Sequence, residues 1–292
     1  MDAPGAEPFP SSAESRAPRA ESREPHFPAE PPLLLTDPHA RPIIAHRGAS
    51  AYAPENTLAA FRRALELGAD ALELDVRLTR DGEVVVAHDA TLLRMAGDSR
   101  RVGQCTLAEL RAVDAGARFS VDADATFPFA GRGVLVPTLA EVLEEFPAAP
   151  LLVEVKEVAA GRAARDVIAR AGAIARCVVA GVDAAALLPF REPPWLYGAA
   201  TVDAARLYLP ALLGVGARPT ACRAFSVPVR WRGLPVPTRR FVRAAHSAGA
   251  AVHVWTVDDP ALGHALWARR VNGLVTNRPD VMMAARAALG AG

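Results

Sequence analysis

PIIAHRGASAYAPENTLAAFRRALELGADALELDVRLTRDGEVVVAHD, residues 42–89, holds three short apolar runs that end on, or carry, groups costly to bury. Pro42-Ile43-Ile44-Ala45 stops on His46-Arg47-Gly48, and Val84-Val85-Val86-Ala87 delivers His88-Asp89. Between them, Ala71-Leu72-Glu73-Leu74-Asp75-Val76 carries two carboxylates inside an otherwise apolar strand pattern. Polar groups at the ends of apolar strands are expensive in a core, so chemistry is the reason to expect them there. Side chains on a strand alternate faces, which puts Glu73 and Asp75 on the same side. The device recurs at Leu151-Leu152-Val153-Glu154-Val155-Lys156, where Glu154 and Lys156 share a face. If the two strands are neighbours, Glu154 lies about 5 Å to the side of the Glu73/Asp75 pair. Carboxylates that close repel unless a proton or cation sits between them, and three suit a hard divalent ion such as Mg²⁺ or Ca²⁺.

Outward from this stretch, helices and extended segments alternate. A helix over Asn56–Leu67, capped by Thr57 or Asn56, is followed by the strand Ala71–Val76, a turn at Arg80-Asp81-Gly82 and a short arm, Glu83–Ala87. Later strands are expected at 151–156, 176–181, 195–200, 223–227, 251–257 and 273–276, and segment 202–221 is ambiguous, with helix around Leu207–Leu213. Leaving out the arm, eight extended segments alternate with helices. That count argues for an α/β fold, a closed (β/α)8 TIM barrel with a small insertion after strand 2, over an open doubly wound sheet. The insertion, at about 90–136, holds one clear helix, Leu107–Val113, behind a Thr106/Glu109 capping box, and otherwise reads as irregular loop. In such barrels, active sites gather at the C-terminal edge of the strands, where His46, Glu73, Asp75, Glu154, Lys156 and Trp255 all fall.

Composition sets limits. The chain has 292 residues, 51% of them hydrophobic, enough for one large domain with a sizeable core. A formal charge of +1 gives no bulk attraction to nucleic acid or an anionic membrane. Residues 1–40, rich in Pro, Ala, Glu, Ser and Arg, read as a disordered tail whose removal to residue 38 should leave stability unchanged; residues 41–292 read as the barrel. No apolar run is long enough to span a bilayer and no signal peptide is evident, so a soluble cytoplasmic protein is the expectation. Cys105, Cys177 and Cys222 are scattered and odd in number, and read as buried free thiols. Arginine is everywhere and lysine occurs once, at Lys156, where a compact flexible cation rather than a planar fork is needed. His46 and His88 flank the carboxylate cluster and are candidates for general acid and base.

The motifs HRG (46–48), PENT (54–57), ELD (73–75), HD (88–89) and EVK (154–156), in this order and spacing, make the chain resemble the glycerophosphodiester phosphodiesterase family of phospholipase C-like phosphodiesterase barrels. The resemblance runs from Pro42 to the final helix. It implies metal-dependent hydrolysis of small-molecule glycerophosphodiesters to glycerol 3-phosphate and an alcohol. The hydroxyl next to the phosphate attacks phosphorus, and water then opens the cyclic phosphate. It implies Glu73, Asp75 and Glu154 as metal ligands, with Glu55 of the PENT loop as a further member. Arg47 and Lys156 would hold the phosphate, Trp255 would form an aromatic wall, and the histidines would trade protons, with His88 as base and His46 as acid. The family usually carries acids where Asn272 and Asn277 stand here, and its insertion shapes the substrate entrance. Plainer readings stay open: a salt-bridge set of the acids with Arg47 and Lys156, or a core role for Trp255. Two alternatives to the main activity are the same chemistry on larger lipids, as a lysophospholipase D, and an inactive barrel serving as a binding module. The first ranks lower because residues 90–136 offer little contiguous apolar surface.

Overall fold

In the computed structural model, the described residues are Met1, 34–215 and 219–290; most of the expected tail, residues 2–33, lies outside them. The strands are β1 Ile43–His46, β2 Ala71–Leu78, β3 Val84–Val86, β4 Leu151–Val155, β5 Cys177–Ala180, β6 Leu196–Tyr197, β7 Ala224–Pro228, β8 Arg230–Trp231, β9 Leu234–Pro235, β10 Ala251–Trp255 and β11 Gly273–Thr276. The helices are α1 Leu58–Glu66, α2 Leu93–Ala96, α3 Leu107–Arg111, α4 Leu139–Glu145, α5 Val158–Arg170, α6 Thr201–Leu212, α7 Arg239–Ser247, α8 Pro260–Trp267 and α9 Pro279–Leu289. Eight parallel strands run in the order β6-β5-β4-β2-β1-β11-β10-β7, and a bridge from Gly198 to Ala224 joins the ends. This is the expected (β/α)8 barrel. The expected arm is β3, antiparallel to β2.

Each inner face has the same logic. At the bottom of the barrel Ile44, Ala71, Leu152, Val178, Ala224 and Val275 form an apolar plug. Two residues further along the same rows come His46, Glu73 and Glu154, and then Asp75 and Lys156. The opposite faces of the strands, Leu72, Leu74 and Val76 among them, pack against the helices. A period of two therefore gives the strand both its outer core and its inner polar rim. The register completes the juxtaposition: His46 pairs with Glu73, and Asp75 with Glu154.

Local chemistry fixes α1 and the turn before it. Thr57 caps the helix by accepting from the Ala60 amide, which frees Asn56 for another task. Arg47 and Gly48 both have positive φ, 55° and 84°. A Cβ on Gly48 would come within 2.6 Å of the Ala60 backbone, so only glycine lets this turn lie against α1. All three cysteines are buried and unpaired. No described helix is long and apolar enough to cross a membrane.

The tail boundary differs from the expectation. Leu35 is 0% exposed and belongs to the plug under the barrel. Its carbonyl accepts from Nε2 of His253 at 2.7 Å, and the Pro38 carbonyl accepts from the Asn272 amide at 2.6 Å. Burial pushes His253 down to about 4, so the ring is neutral and depends on that one carbonyl. A single leucine from a Pro-rich segment thus closes the barrel floor, and removing residues 1–38 should not be neutral. Leu35→Ala should cost ~2–5 kcal/mol in lost burial and cavity. For a domain of this size that is a fall in Tm of roughly 5–15 °C, read by thermal melts. An unchanged Tm after truncation to residue 38 would show that the plug contributes nothing.

Candidate active site

At the mouth of the barrel, Glu73, Asp75 and Glu154 each turn a carboxylate oxygen to a common point, and these oxygens lie within 4.8 Å of one another. Asp75 is the centre of the group and 1% exposed. Its Oδ2 accepts from the Asn56 amide at 2.9 Å and lies 3.1 Å from Arg47 Nε, while Oδ1 lies 3.1 Å from Lys156 Nζ. Lys156 also donates to Glu154 at 3.0 Å, and the Arg47 backbone N–H donates to Glu73 at 2.9 Å. The Arg47–Asp75 and Lys156–Asp75 approaches are off the hydrogen-bonding line. They leave Arg47 Nε and Asp75 Oδ1 buried without a hydrogen bond.

The electrostatics point the same way. Burial pushes Glu73 well above the usual carboxylate range, and the neighbouring Asp75 and Glu154 push it further. Burial also opposes charge on Asp75, but Lys156, Arg47 and the Asn56 hydrogen bond outweigh it and hold this carboxyl low. Lys156 is pulled down by burial and more strongly raised by Asp75 and Glu154. Three acids against two cations leave the cluster one positive charge short, and that deficit falls on Glu73. Three carboxylate oxygens within 4.8 Å of one another, two of the three residues buried and one of them carrying the unbalanced charge, fit a divalent cation. The donor set, all hard oxygen, fits the same ion class.

Glu55 is elsewhere. Both of its oxygens are taken by guanidiniums: Arg94 donates to them at 2.7 and 2.8 Å, and Arg47 donates at 3.1 Å. Burial raises it, but the Arg94 hydrogen bonds and the Arg47 charge outweigh that and hold it below the usual range. The structure does not bring Glu55 into the carboxylate triangle; it makes Glu55 the anchor of Arg47.

The histidines face the cluster from two sides. His88 Nδ1 lies 2.7 Å from Asp89 Oδ1, and Arg94 Nε donates to Asp89 Oδ2 at 2.7 Å. An ionised carboxylate only accepts, so His88 carries its proton on Nδ1 and turns Nε2 to the site. His46 Nδ1 lies 2.7 Å from the Asn277 side-chain oxygen. Asn277 is oriented by its own amide, which donates to Asp258 at 2.7 Å, so here too Nδ1 is the donor. Burial, then Arg47, lowers the His46 pKa, and the Asn277 bond only partly restores it. Both rings, Arg47, Glu73, Glu154, Lys156 and Trp255 line one cavity of about 680 Å³.

Several participants escape a sequence reading. Asn277 stands in contact with a catalytic candidate, whereas by sequence it is a neutral departure. Asp258 and Arg94 carry little local signal, since Asp258 holds Asn277 from 19 residues away and Arg94 reaches Glu55 across 39, besides its nearer partner Asp89. The insertion also behaves differently from expectation: it builds a small core around Leu92, Val102 and Leu110, and none of the cavity-lining residues comes from 90–136. Its contribution is Arg94. Arg94→Lys keeps the charge but cannot bridge Glu55 and Asp89 with one planar fork. We expect kcat/KM to fall 5- to 50-fold with Tm nearly unchanged, because the side chain is 54% exposed. Unchanged kinetics would show that Asp89 and Glu55 hold their places without it.

The chain matches the family described as "Glycerophosphoryl diester phosphodiesterase family" over residues 46–170 and 200–281. It is 31% identical over 260 residues to the Mycobacterium tuberculosis protein named "Probable glycerophosphodiester phosphodiesterase 2", covering 83% of this chain and 89% of that one. Over 102 residues it is 50% identical to a glycerophosphodiester phosphodiesterase of Caldanaerobacter subterraneus, 35% of this chain and 39% of that one. The crystal structure of a glycerophosphodiester phosphodiesterase from Agrobacterium tumefaciens superposes with a TM-score of 0.65 at 26% identity, covering 85% of this chain and 99% of that chain.

Proposed function

The chain belongs to the glycerophosphoryl diester phosphodiesterase family, and from that premise we propose that it hydrolyses glycerophosphodiesters to glycerol 3-phosphate and an alcohol. The single observation that carries this reading is the convergence of Glu73, Asp75 and Glu154, two of which line one cavity together with His46 and His88. Glu73, Asp75 and Glu154 would hold one divalent ion, Mg²⁺ or Ca²⁺. Such an ion, when bound, draws charge from the phosphate oxygens and makes the glycerol hydroxyl easier to deprotonate.

The chain's own groups do the rest. Nε2 of His88 takes the proton from the glycerol hydroxyl next to the phosphate, and Asp89 steadies the imidazolium that results. The hydroxyl oxygen bonds to phosphorus and the bond to the leaving alcohol breaks. His46 enters this step as the imidazolium, gives its Nε2 proton to that alcohol and keeps the Nδ1 proton on Asn277. In the second half water adds to the cyclic phosphate, with the two rings exchanging roles, and glycerol 3-phosphate leaves. Arg47 and Lys156 stabilise the negative charge that builds on the phosphate oxygens. Asn56 holds Asp75, and Glu55 holds Arg47.

Lys156 offers a sharp test of this division of labour. Its ammonium sits 3.0 Å from Glu154 and 3.1 Å from Asp75, a gap sized for a compact cation. Lys156→Arg should keep the fold but lose at least tenfold in kcat/KM, ~1.4 kcal/mol of transition-state stabilisation, because a guanidinium is wider and planar. Lys156→Ala should lose more. An arginine variant as fast as the parent would remove Lys156 from phosphate binding. The reading as a whole is tested by following glycerol 3-phosphate released from glycerophosphocholine with and without a chelator. Turnover stopped by chelation and restored by Mg²⁺ or Ca²⁺ is the expected result; no turnover with either ion would favour the inactive-barrel alternative.

A further inference from the structure

The formal charge of +1 conceals a strong segregation. Residues 193–257 hold eight arginines and one acid, Asp203, so the rest of the chain is net negative. Elsewhere arginines sit on carboxylates: Arg62 on Glu145, Arg80 on Glu109, Arg94 on Glu55 and Arg286 on Asp70. In this segment the pairing stops. Arg230 donates to the Gly233 carbonyl, Arg240 to that of Leu212, and the Arg232 guanidinium lies 4.7 Å from the centre of the Trp231 ring. Arg206 approaches Asp203 only to 3.9 Å. Among the described residues, no carboxylate forms an ion pair with Arg230, Arg232, Arg239 or Arg240, and all four are exposed. Arg239 and Arg240 also occupy the first turn of α7, which holds no acid. The helix dipole is positive at that end, so stability alone would favour acids there.

The same surface is apolar where a surface helix is normally polar. Val202, Arg206, Leu209 and Leu213, the last of them the C-cap, recur at helical spacing on the outer side of α6. The three apolar ones are 41%, 67% and 81% exposed, whereas a surface helix turns such a stripe to the core. The β8–β9 hairpin reads Arg230-Trp231-Arg232-Gly233-Leu234, with Trp231 53% and Leu234 58% exposed. Two contacts join these elements into one face. Tyr208 of α6 donates its hydroxyl to the Pro235 carbonyl at 3.0 Å, and Arg240 of α7 reaches the Leu212 carbonyl of α6. Large apolar tips among unpaired arginines, with an indole between two of them, compose a surface suited to the headgroup layer of a membrane.

We propose that this face, made of the outer side of α6, the β8–β9 hairpin and the first turn of α7, docks the chain on an anionic phospholipid bilayer. The arginines meet the lipid phosphates, and Leu209, Leu213, Trp231 and Leu234 enter the boundary between headgroups and acyl chains. Charge complementarity selects this occupant. A second copy of the chain would set arginine against arginine across a two-fold contact. A nucleic acid would satisfy the arginines but leave the leucine tips in water. Trp231 and Leu234 also line the cavity, so a docked chain holds its mouth at the lipid surface. Docking places the enzyme and leaves open which phosphodiester it takes, so it is independent of the activity assigned above.

The test is co-sedimentation of the full chain with large vesicles of phosphatidylcholine, alone or with about 30 mol% phosphatidylglycerol. At ~0.1 M salt the chain should pellet with the anionic vesicles and stay in the supernatant with the neutral ones, and at ~0.5 M salt the pelleted fraction should fall several-fold. An arginine at such a surface is worth about fivefold in partitioning, so the triple variant Arg230→Gln, Arg232→Gln, Arg239→Gln should bind roughly a hundredfold more weakly. Leu213→Gln, which removes an apolar tip and no charge, should bind about tenfold more weakly. None of these residues belongs to the carboxylate cluster or lines the cavity, so melting temperature and glycerophosphocholine turnover should stay at the parent's values. Failure of the parent itself to turn over would count against the phosphodiesterase reading and not against docking, which the vesicles read directly. No pelleting with either vesicle, equal pelleting with both, or binding kept in both variants would overturn the proposal. A dimer or an oligonucleotide complex that forms in place of vesicle binding, and is lost in the same variants, would give the face to that partner and overturn the lipid one.

Discussion

Asp75→Asn should reduce kcat/KM at least a thousandfold, or ~4 kcal/mol of transition-state stabilisation. The substitution keeps the volume of a side chain that is 1% exposed, so what it removes is charge. That charge does three jobs at once: Oδ2 faces Asn56 and Arg47, Oδ1 faces Lys156, and one oxygen belongs to the triangle with Glu73 and Glu154. Without it both cations lose their shared counter-charge, and the triangle loses a ligand. Glu73→Gln and Glu154→Gln should fall comparably, and the double variants should fall little further than the singles, because ligands of one ion act as a unit. Kinetics with saturating metal, alongside melting curves, separate this from unfolding. A variant that keeps a tenth of parental activity would show that Asp75 is a structural ion-pair partner only.

The second large effect concerns the histidines, which should each cost 100- to 10,000-fold when replaced by Gln. Leaving-group chemistry tells them apart. With a nitrophenyl alcohol the leaving oxygen needs no proton, so the acid becomes dispensable and the base does not. His46→Gln should recover most of its loss on such a substrate, and His88→Gln should recover none. The reverse pattern would exchange their roles. A pH profile adds an independent check. The His46 pKa is lowered by burial and Arg47, and its Nδ1 partner is the neutral Asn277 amide. Asn277→Asp would set a carboxylate 2.7 Å from the ring and raise its pKa. An acid must hold its proton, so the alkaline limb of kcat/KM should move to higher pH; were His46 the base, the acid limb would move up instead.

The barrel and the acid cluster are legible in the sequence for one reason. Strand faces alternate with a period of two, so Glu73 and Asp75, and Glu154 and Lys156, declare their shared inner faces without any structure. The register that sets Asp75 beside Glu154 follows once β2 and β4 are neighbours. Other parts depend on distant contacts. Leu35 ends a three-leucine run too short to declare its burial, and its place is decided by the floor of the barrel. Glu55 looks like a ligand until Arg94 takes both its oxygens. The apolar part of the cavity lining, supplied by α6 and the β8–β9 hairpin, is hidden because these elements are poor local signals. Pro210 lies inside α6, and the β8–β9 hairpin has strands of two residues each, one ending on Pro235. Apolar surface sought in the insertion is supplied by these two elements instead.

Phosphorus NMR of glycerophosphocholine during turnover tests the central claim most directly, because it identifies which bond breaks and which group attacks. The account predicts a transient five-membered cyclic glycerophosphate that gives way to glycerol 3-phosphate, both absent after chelation and restored by Mg²⁺ or Ca²⁺. Phosphocholine and glycerol as products, or glycerol 3-phosphate formed at the same rate in the presence of a chelator, would contradict it.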